Sequence, residues 1–425
     1  MKNIKNSNLI IANMLFLMFP LSLILGNFFT NVNIILISIF TFIFYYKKKV
    51  KFEINFFDKI VLIFFFYTLV SLIVNFFESY LNNEIFSKYI IDKTFFYFRY
   101  LFLYLALRIL MSQKILRLDW FSITCSVCAT FVCLDVFFQF FFGKDIFGIV
   151  STSARHYSGV FGAELIAGGY MQKFALFSFF LPFTQRKRFF FKIPILFTFF
   201  IFFAVGITIS GNRMPLVLFI LSFLIFLLLD KKKRKYLFVT LVAVFLLLVL
   251  AYKSSETSKY HVSNFYYHGK NVITSLSIKD LTQESMTTAN KPYVLEFHCF
   301  KVIWKYNPIF GGGVKSYRIQ DGGCNNHPHN YYFEILTDLG LVGLSIILFL
   351  IFMLLRKILL NESASFQLNR NTLDSKVMPF FLIFFFEFFP FRTTGSFFTT
   401  SNASIIFIVL AILVSLVSKK KSFAD

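Results

Sequence analysis

The chain has 425 residues, 57% of them hydrophobic and 15% charged, where an ordinary soluble domain carries about 25% charge. That composition excludes a soluble globular enzyme, a disordered chain and a fibre, and it points to an all-α polytopic membrane protein. The net charge of +22 would suggest nucleic acid in a soluble protein. Here the cations lie in short loops between apolar runs, as the positive-inside rule expects, so the expected surroundings are membrane lipids and not nucleic acid.

A helix needs about 20 mostly apolar residues to cross the hydrocarbon core. About twelve spans are predicted on that measure, at 9–27, 29–46, 60–77, 95–111, 120–141, 166–183, 193–210, 214–229, 237–252, 340–355, 377–391 and 402–418. Lys2 and Lys5 precede the first, which lacks a small-residue cleavage site and is longer than a signal h-region, so it is expected to stay as an uncleaved helix. With the N-terminus inside, alternate segments hold Lys47, Lys48, Lys49, Lys51 and Lys59, then Lys114 and Arg117, then Arg186, Lys187, Arg188 and Lys192. Lys231, Lys232, Lys233, Arg234 and Lys235 follow, then Arg356, Lys357, Arg370 and Lys376, and last Lys419, Lys420 and Lys421. The opposite connections hold only Lys88, Lys93, Lys144, Arg155, Arg213 and Arg392. This asymmetry predicts a multi-pass protein of the bacterial inner membrane with both termini cytoplasmic.

The chain thus divides into residues 1–252 with nine spans, a polar segment at 253–339, and residues 340–425 with three more. The segment 253–339 falls on the periplasmic side, and so long a loop between membrane helices is usually functional. Residues 356–376 read as solvated linker.

Cations near the outer face run against topology and need a reason. Arg213 lies in the hairpin Ser210-Gly211-Asn212-Arg213-Met214-Pro215, whose Gly and Pro account for the backbone shape. Either it snorkels to lipid headgroups or it binds an anion. Arg155 precedes the sixth span, with Glu164 at the membrane edge and Lys173 inside the span. Ionisable groups at such depth face a cavity or a partner, and a Glu164–Lys173 pair or a Glu164–Arg pair is one expectation. Arg392 in the last outside loop is a weaker candidate of the same kind.

The long segment ends in Cys324-Asn325-Asn326-His327-Pro328-His329-Asn330-Tyr331-Tyr332-Phe333-Glu334 and runs on to Gly340-Leu341-Val342-Gly343. Pro328 marks a helix start with Pro in the first turn, predicting a short amphipathic helix over 329–339. Asn330, Glu334 and Asp338 share one face of it, and Gly340 and Gly343 allow a break or close packing. His329 would then sit at a helix N-terminus, where the dipole favours the neutral imidazole that a general base requires. A surface or capping role is the plainer alternative.

Cys125, Cys128 and Cys133 lie in an apolar span without accompanying His or carboxylate ligands, so they read as core thiols and no metal site is expected. Cys299 and Cys324 lie in the outside segment, where an oxidising compartment permits a disulfide between them. There is no P-loop, dinucleotide fingerprint, HExxH or nucleophile elbow, and no cofactor is expected.

His329-Asn330, followed by Gly340-x-x-Gly343, resembles the signature of the O-antigen ligase and O-antigen polymerase superfamily. Asn307-Pro308-Ile309-Phe310-Gly311-Gly312-Gly313 resembles the Pro-x-x-Gly-x-Gly element of the same loop in that family. Arg213 and the Arg155 segment also fall where the family has comparable stretches, and twelve spans with one long loop between the ninth and tenth match the ligase layout. The resemblance implies glycan transfer at the periplasmic face, without metal or nucleotide. The implied donor is a saccharide on undecaprenyl pyrophosphate and the implied acceptor a sugar hydroxyl of lipid A–core. On that reading His329 takes the acceptor's proton with inversion at the anomeric carbon, and Arg213, Arg155 and Arg318 bind the pyrophosphate. Asn330, Glu334, Gly340, Gly343 and Glu164 support the site. The family also carries a loop Arg upstream of the Pro-Gly element. Residues 291–305 offer Lys291, His298, Lys301 and Lys305 but no Arg, so a Lys or the downstream Arg318 substitutes, or the phosphate site is built differently.

Other readings within the superfamily are a repeat-unit polymerase acting on a second lipid-linked glycan, or a protein-directed oligosaccharyltransferase. A transporter or flippase of lipid-linked saccharide is the reading from a different class. It would require paired charges near the bilayer midplane and an internal repeat, whereas the distinctive residues here cluster at one face.

Overall fold

The computed structural model describes residues 6–83, 85–151, 156–184, 192–229, 234–254, 259, 263, 292–319, 324, 326–359, 377–392 and 395–418. Helices dominate them. In chain order they are α1 (Asn6–Leu17), α2 (Phe19–Ile24), α3 (Asn27–Lys48), α4 (Phe56–Leu81), α5 (Lys88–Tyr97) and α6 (Arg99–Ser112). Next come α7 (Leu118–Phe142), α8 (Ala167–Thr184), α9 (Lys192–Ile209), α10 (Arg213–Leu229) and α11 (Leu237–Ser254). The last are α12 (Pro292–Tyr306), α13 (Tyr331–Leu359), α14 (Met378–Glu387) and α15 (Thr400–Val417).

Among the described residues, seven helical segments are long and apolar enough to cross a membrane by length and composition: Ser7–Ile24, α3, α4, Lys88–Ser112, α7, α13 and α15. Ile195–Ile209, α10 and α14 are apolar but shorter. The described residues are therefore helical, with several membrane-crossing candidates among them. Within the polar segment at 253–339, residues 255–258, 260–262, 264–291, 320–323 and 325 lie outside the described residues.

Local chemistry explains the boundaries. Asn55 and Asp58 form a reciprocal capping box at the start of α4, each side chain bonded to the other's backbone at 2.9 Å. Gly143 ends α7 in the left-handed region at φ 77°. Pro20, without an N–H, accounts for the break between α1 and α2.

α15 is the central helix. Every residue from Ala403 to Val417 is buried, as a helix hydrophobic on all sides should be. One end of the bundle is held by a buried ion pair, with Arg108 Nε 2.7 Å from Asp58 Oδ1. Tyr104 donates to the same carboxylate and Arg108 Nη1 donates to Ser415 Oγ at 2.7 Å, tying α4, α6 and α15 together. The loops at the other end converge on a cavity.

Candidate active site

The site rests on a crossing of two backbones. α13 is interrupted at Gly340, which takes φ 65°, ψ −167°, and an interrupted helix leaves N–H and C=O groups without intrahelical partners. The 307–313 turn supplies them. Gly312 N donates to Thr337 O at 2.9 Å and Gly313 N to Asp338 O at 2.8 Å, while Leu341 N donates to Pro308 O at 2.9 Å. The two chains run so close that a Cβ at Gly340 would lie 2.2 Å from Ile309 O, and one at Gly311 would lie 2.4 Å from the Asp338 carbonyl carbon. Only glycine fits there. One face of α4 seals the crossing. Tyr67 Oη lies 2.9 Å from Leu339 O, Ser71 donates to Phe310 O at 2.9 Å, and Asn75 donates to Gly311 O at 2.7 Å. Gly343, expected to allow close packing, lets Tyr67 approach.

The acidic stripe on α13 turns out to be a set of anchors. Glu334, buried, accepts from Ser396 Oγ and Phe397 N at 2.5 Å each. Asp338, also buried, accepts from Lys315 N, Ser316 Oγ and Tyr317 N at 2.8–3.0 Å, and so holds the short turn that carries Arg318. Asn330 caps α13. Its Oδ1 accepts from Tyr332 N at 2.9 Å, and its Nδ2 donates to Pro390 O at 2.9 Å. The helix accordingly starts at Tyr331, later than Pro328 suggests, because the Asn side chain satisfies the first free N–H groups. It then continues through Gly340 to Leu359 as a kinked whole.

His329 stands two residues ahead of α13 in the left-handed region at φ 49°, not inside the first turn. Its ring lies 4.2 Å from that of His327, centre to centre. Burial pushes its pKa below the ordinary 6.5. His327 falls further, to about 4, through burial and the nearby His329 and Arg318. Both imidazoles are therefore neutral at pH 7.

The segment after His329 also fixes Arg392. Arg392 Nη1 lies 2.6 Å from Glu387 Oε2, and its guanidinium stands over the Tyr331 ring. Tyr331 donates to Glu387 Oε2 at 2.9 Å. Lys173 completes the group, with Nζ 3.0 Å from both Glu387 Oε1 and Asn402 Oδ1. All three charged residues are buried, so two cations share one carboxylate. The expected Glu164–Lys173 pair is thus replaced by Lys173–Glu387, and Glu164 is exposed at the cavity rim.

These residues open on one cavity of about 510 Å³. His327, His329 and Arg392 line it together with Lys173, Glu164 and Asn402. Arg213 begins α10, half-buried, between the lining residues Asn212 and Pro215. Arg318 is half-buried on the His327 side, and Lys315 beside it is held down to about 8 by burial, with Arg318, Lys93 and Arg99 adding. Arg155 lies outside the described residues. Cys299 and Cys324 are joined in a disulfide, while Cys125, Cys128 and Cys133 are free and buried.

Sequence reading missed Glu387. A lone carboxylate in the eleventh apolar stretch is costly without a partner, and that cost was the available signal.

No curated protein matches the chain. A family model described as Wzy_C, O-antigen ligase, matches residues 197–348. The match takes in Arg213, the 307–313 turn, His329 and the Gly340 crossing, and over those residues it supports the resemblance to the O-antigen ligase superfamily.

Proposed function

We propose that the protein is an O-antigen ligase of the bacterial inner membrane, moving a glycan from undecaprenyl pyrophosphate to a sugar hydroxyl of lipid A–core at the periplasmic face. The observation that carries this reading is the shared cavity, which a neutral His329 and a buried Arg392 both line. The acceptor hydroxyl attacks the anomeric carbon and His329 takes its proton. The bond from that carbon to the phosphate oxygen breaks, and its electron pair leaves with the pyrophosphate, so configuration inverts. Arg213 and Arg318, with Arg155, hold the pyrophosphate, and Arg392 adds positive charge where the leaving group's charge grows. An ammonium in place of Arg213 loses the planar two-pronged contact, so Arg213→Lys should slow transfer.

The test is a gel profile of surface glycolipid from a deletion strain complemented with wild type or His329→Ala. Bare core with polymer held on undecaprenyl pyrophosphate, not corrected by His329→Ala, is expected. Core bearing a single repeat unit would make the protein a polymerase. Full rescue by His329→Ala would overturn the mechanism, and a requirement for midplane charges instead would favour a transporter.

A further inference from the structure

α12 is fastened to the His329 segment at two points, one on each side of the histidine. Ahead of it, the disulfide joins Cys299 of α12 to Cys324. Behind it, Phe300 of α12 stacks on Phe333 with ring centres 4.3 Å apart and planes 14° from parallel. Phe297 meets the same ring at 5.8 Å. Residues 297, 299 and 300 all serve these two fasteners, and they fix the rotation of the helix. Glu296 is carried along with them. It is buried at 7% exposure, and its Oε1 lies 3.7 Å from His329 Nε2. A buried carboxylate outside the membrane helices is costly unless something faces it. At 3.7 Å the contact is electrostatic and longer than a hydrogen bond, and it favours the neutral imidazole with its proton on Nε2, toward the carboxylate, which leaves Nδ1 as the basic nitrogen.

The geometry points to Glu296 as a positioning residue for His329, setting the ring's tautomer and stabilising the imidazolium that forms when Nδ1 takes the acceptor's proton. The reaction rests on the glycan-transfer reading; the pair itself does not. In the step, the hydroxyl proton passes to Nδ1 as the oxygen bonds to the anomeric carbon. Nε2–H stays with His329, and Glu296 stays ionised, now facing a cation. The charged and titratable groups around His329 are Glu296 from α12, His327 from its own loop, and Arg392, Lys173 and Glu164 in the lining of the same cavity. The cavity cations oppose a charge on His329. Glu296 favours it.

The experiment uses the full-length protein in nanodiscs with carbon-13-labelled histidine, the His329 signal assigned from His329→Ala. In Glu296→Gln the titration midpoint of His329 is expected to fall by about one pH unit. Glu296→Asp, which keeps the charge, should recover part of that shift and stands in if the Gln variant does not fold. With an undecaprenyl-pyrophosphate-linked saccharide as donor and lipid A–core as acceptor, Glu296→Gln should lower kcat by about 10- to 100-fold at unchanged KM, with the acid limb moved to lower pH. An unchanged His329 midpoint in both variants overturns the pairing even if the wild type transfers glycan. A shifted midpoint in a protein that transfers nothing supports the pairing and overturns the transfer reading alone.

Discussion

At the scale of single residues, burial decides which side chains can act as bases. Charging an imidazole away from water is costly, so both cavity histidines resist protonation, His327 down to about 4. On the proposed mechanism the active form of His329 is the neutral one. Since burial lowers its pKa, the transfer rate is expected to stay level through neutral pH and to fall only below the usual imidazole range; a pH–rate profile with its acid limb above 7 would contradict this. Stability follows the same sign. Between pH 6.5 and about 4 the unfolded chain takes a proton on His327 that the folded chain refuses, so stability falls as pH falls. Melting temperatures between pH 7.5 and 4.5 should show that loss, and His327→Phe should lessen it. His329 was legible because it stands beside Pro328 at a helix start and heads the His329-Asn330…Gly340-x-x-Gly343 pattern. Glu387 and Glu296 were not, because a carboxylate's worth depends on what the fold brings against it, and Lys173 is more than two hundred positions away from the Glu387 it pairs with.

At the scale of elements, the Asn307–Gly313 turn and the Gly340-x-x-Gly343 segment are one structure. Sequence spacing suggested a break or close packing at Gly340, and both occur, yet nothing in the spacing showed that the turn thirty residues upstream fills the break. The demand for glycine is double there, since φ 65° disfavours a side chain and Ile309 O occupies the place of a Cβ. The conformational part alone costs about 1–2 kcal/mol, and the clash is with backbone that cannot rotate aside. Gly340→Ala should therefore lower the melting temperature sharply and abolish activity. Tyr67→Phe, which removes one hydrogen bond to the same crossing, should cost only about 1 kcal/mol. Both are read by thermal unfolding of the detergent-solubilised protein. If Gly340→Ala proved milder than Tyr67→Phe, the crossing would not be what holds His329 in place.

At the scale of the whole molecule, the alternation of cationic and neutral connections can be set against which loops meet. The connections at 25–27, 143–166, 210–213 and 388–399, all assigned to one side by the charge pattern, contribute residues to the single 510 Å³ cavity. Those assigned to the other side also meet one another. Asn55 Nδ2 donates to Ser418 Oγ at 2.8 Å, and Asn13, on α1, reaches Ile115 O at 3.0 Å beyond α6. Among the described residues, Ile195–Ile209, α10 and α14 are apolar stretches that hydropathy counts as spans although they are shorter than the seven long helices. Hydropathy still sorts the loops into two sets, since each side of the bundle has to be reached by an alternating chain. The direction is then a matter of charge. The lysine clusters near 47–51 belong to the end away from the cavity, and on the positive-inside rule the proposed orientation has that end in the cytoplasm. A cysteine at exposed Phe391, near the cavity, should react with a membrane-impermeant maleimide in intact spheroplasts. One at exposed Glu53 should react only after the membrane is opened. The native thiols are buried or joined in the disulfide, so they leave the background low. The opposite labelling pattern would turn the cavity toward the cytoplasm, where a donor delivered at the periplasmic face could not reach it, and the proposed reaction would fall with the orientation.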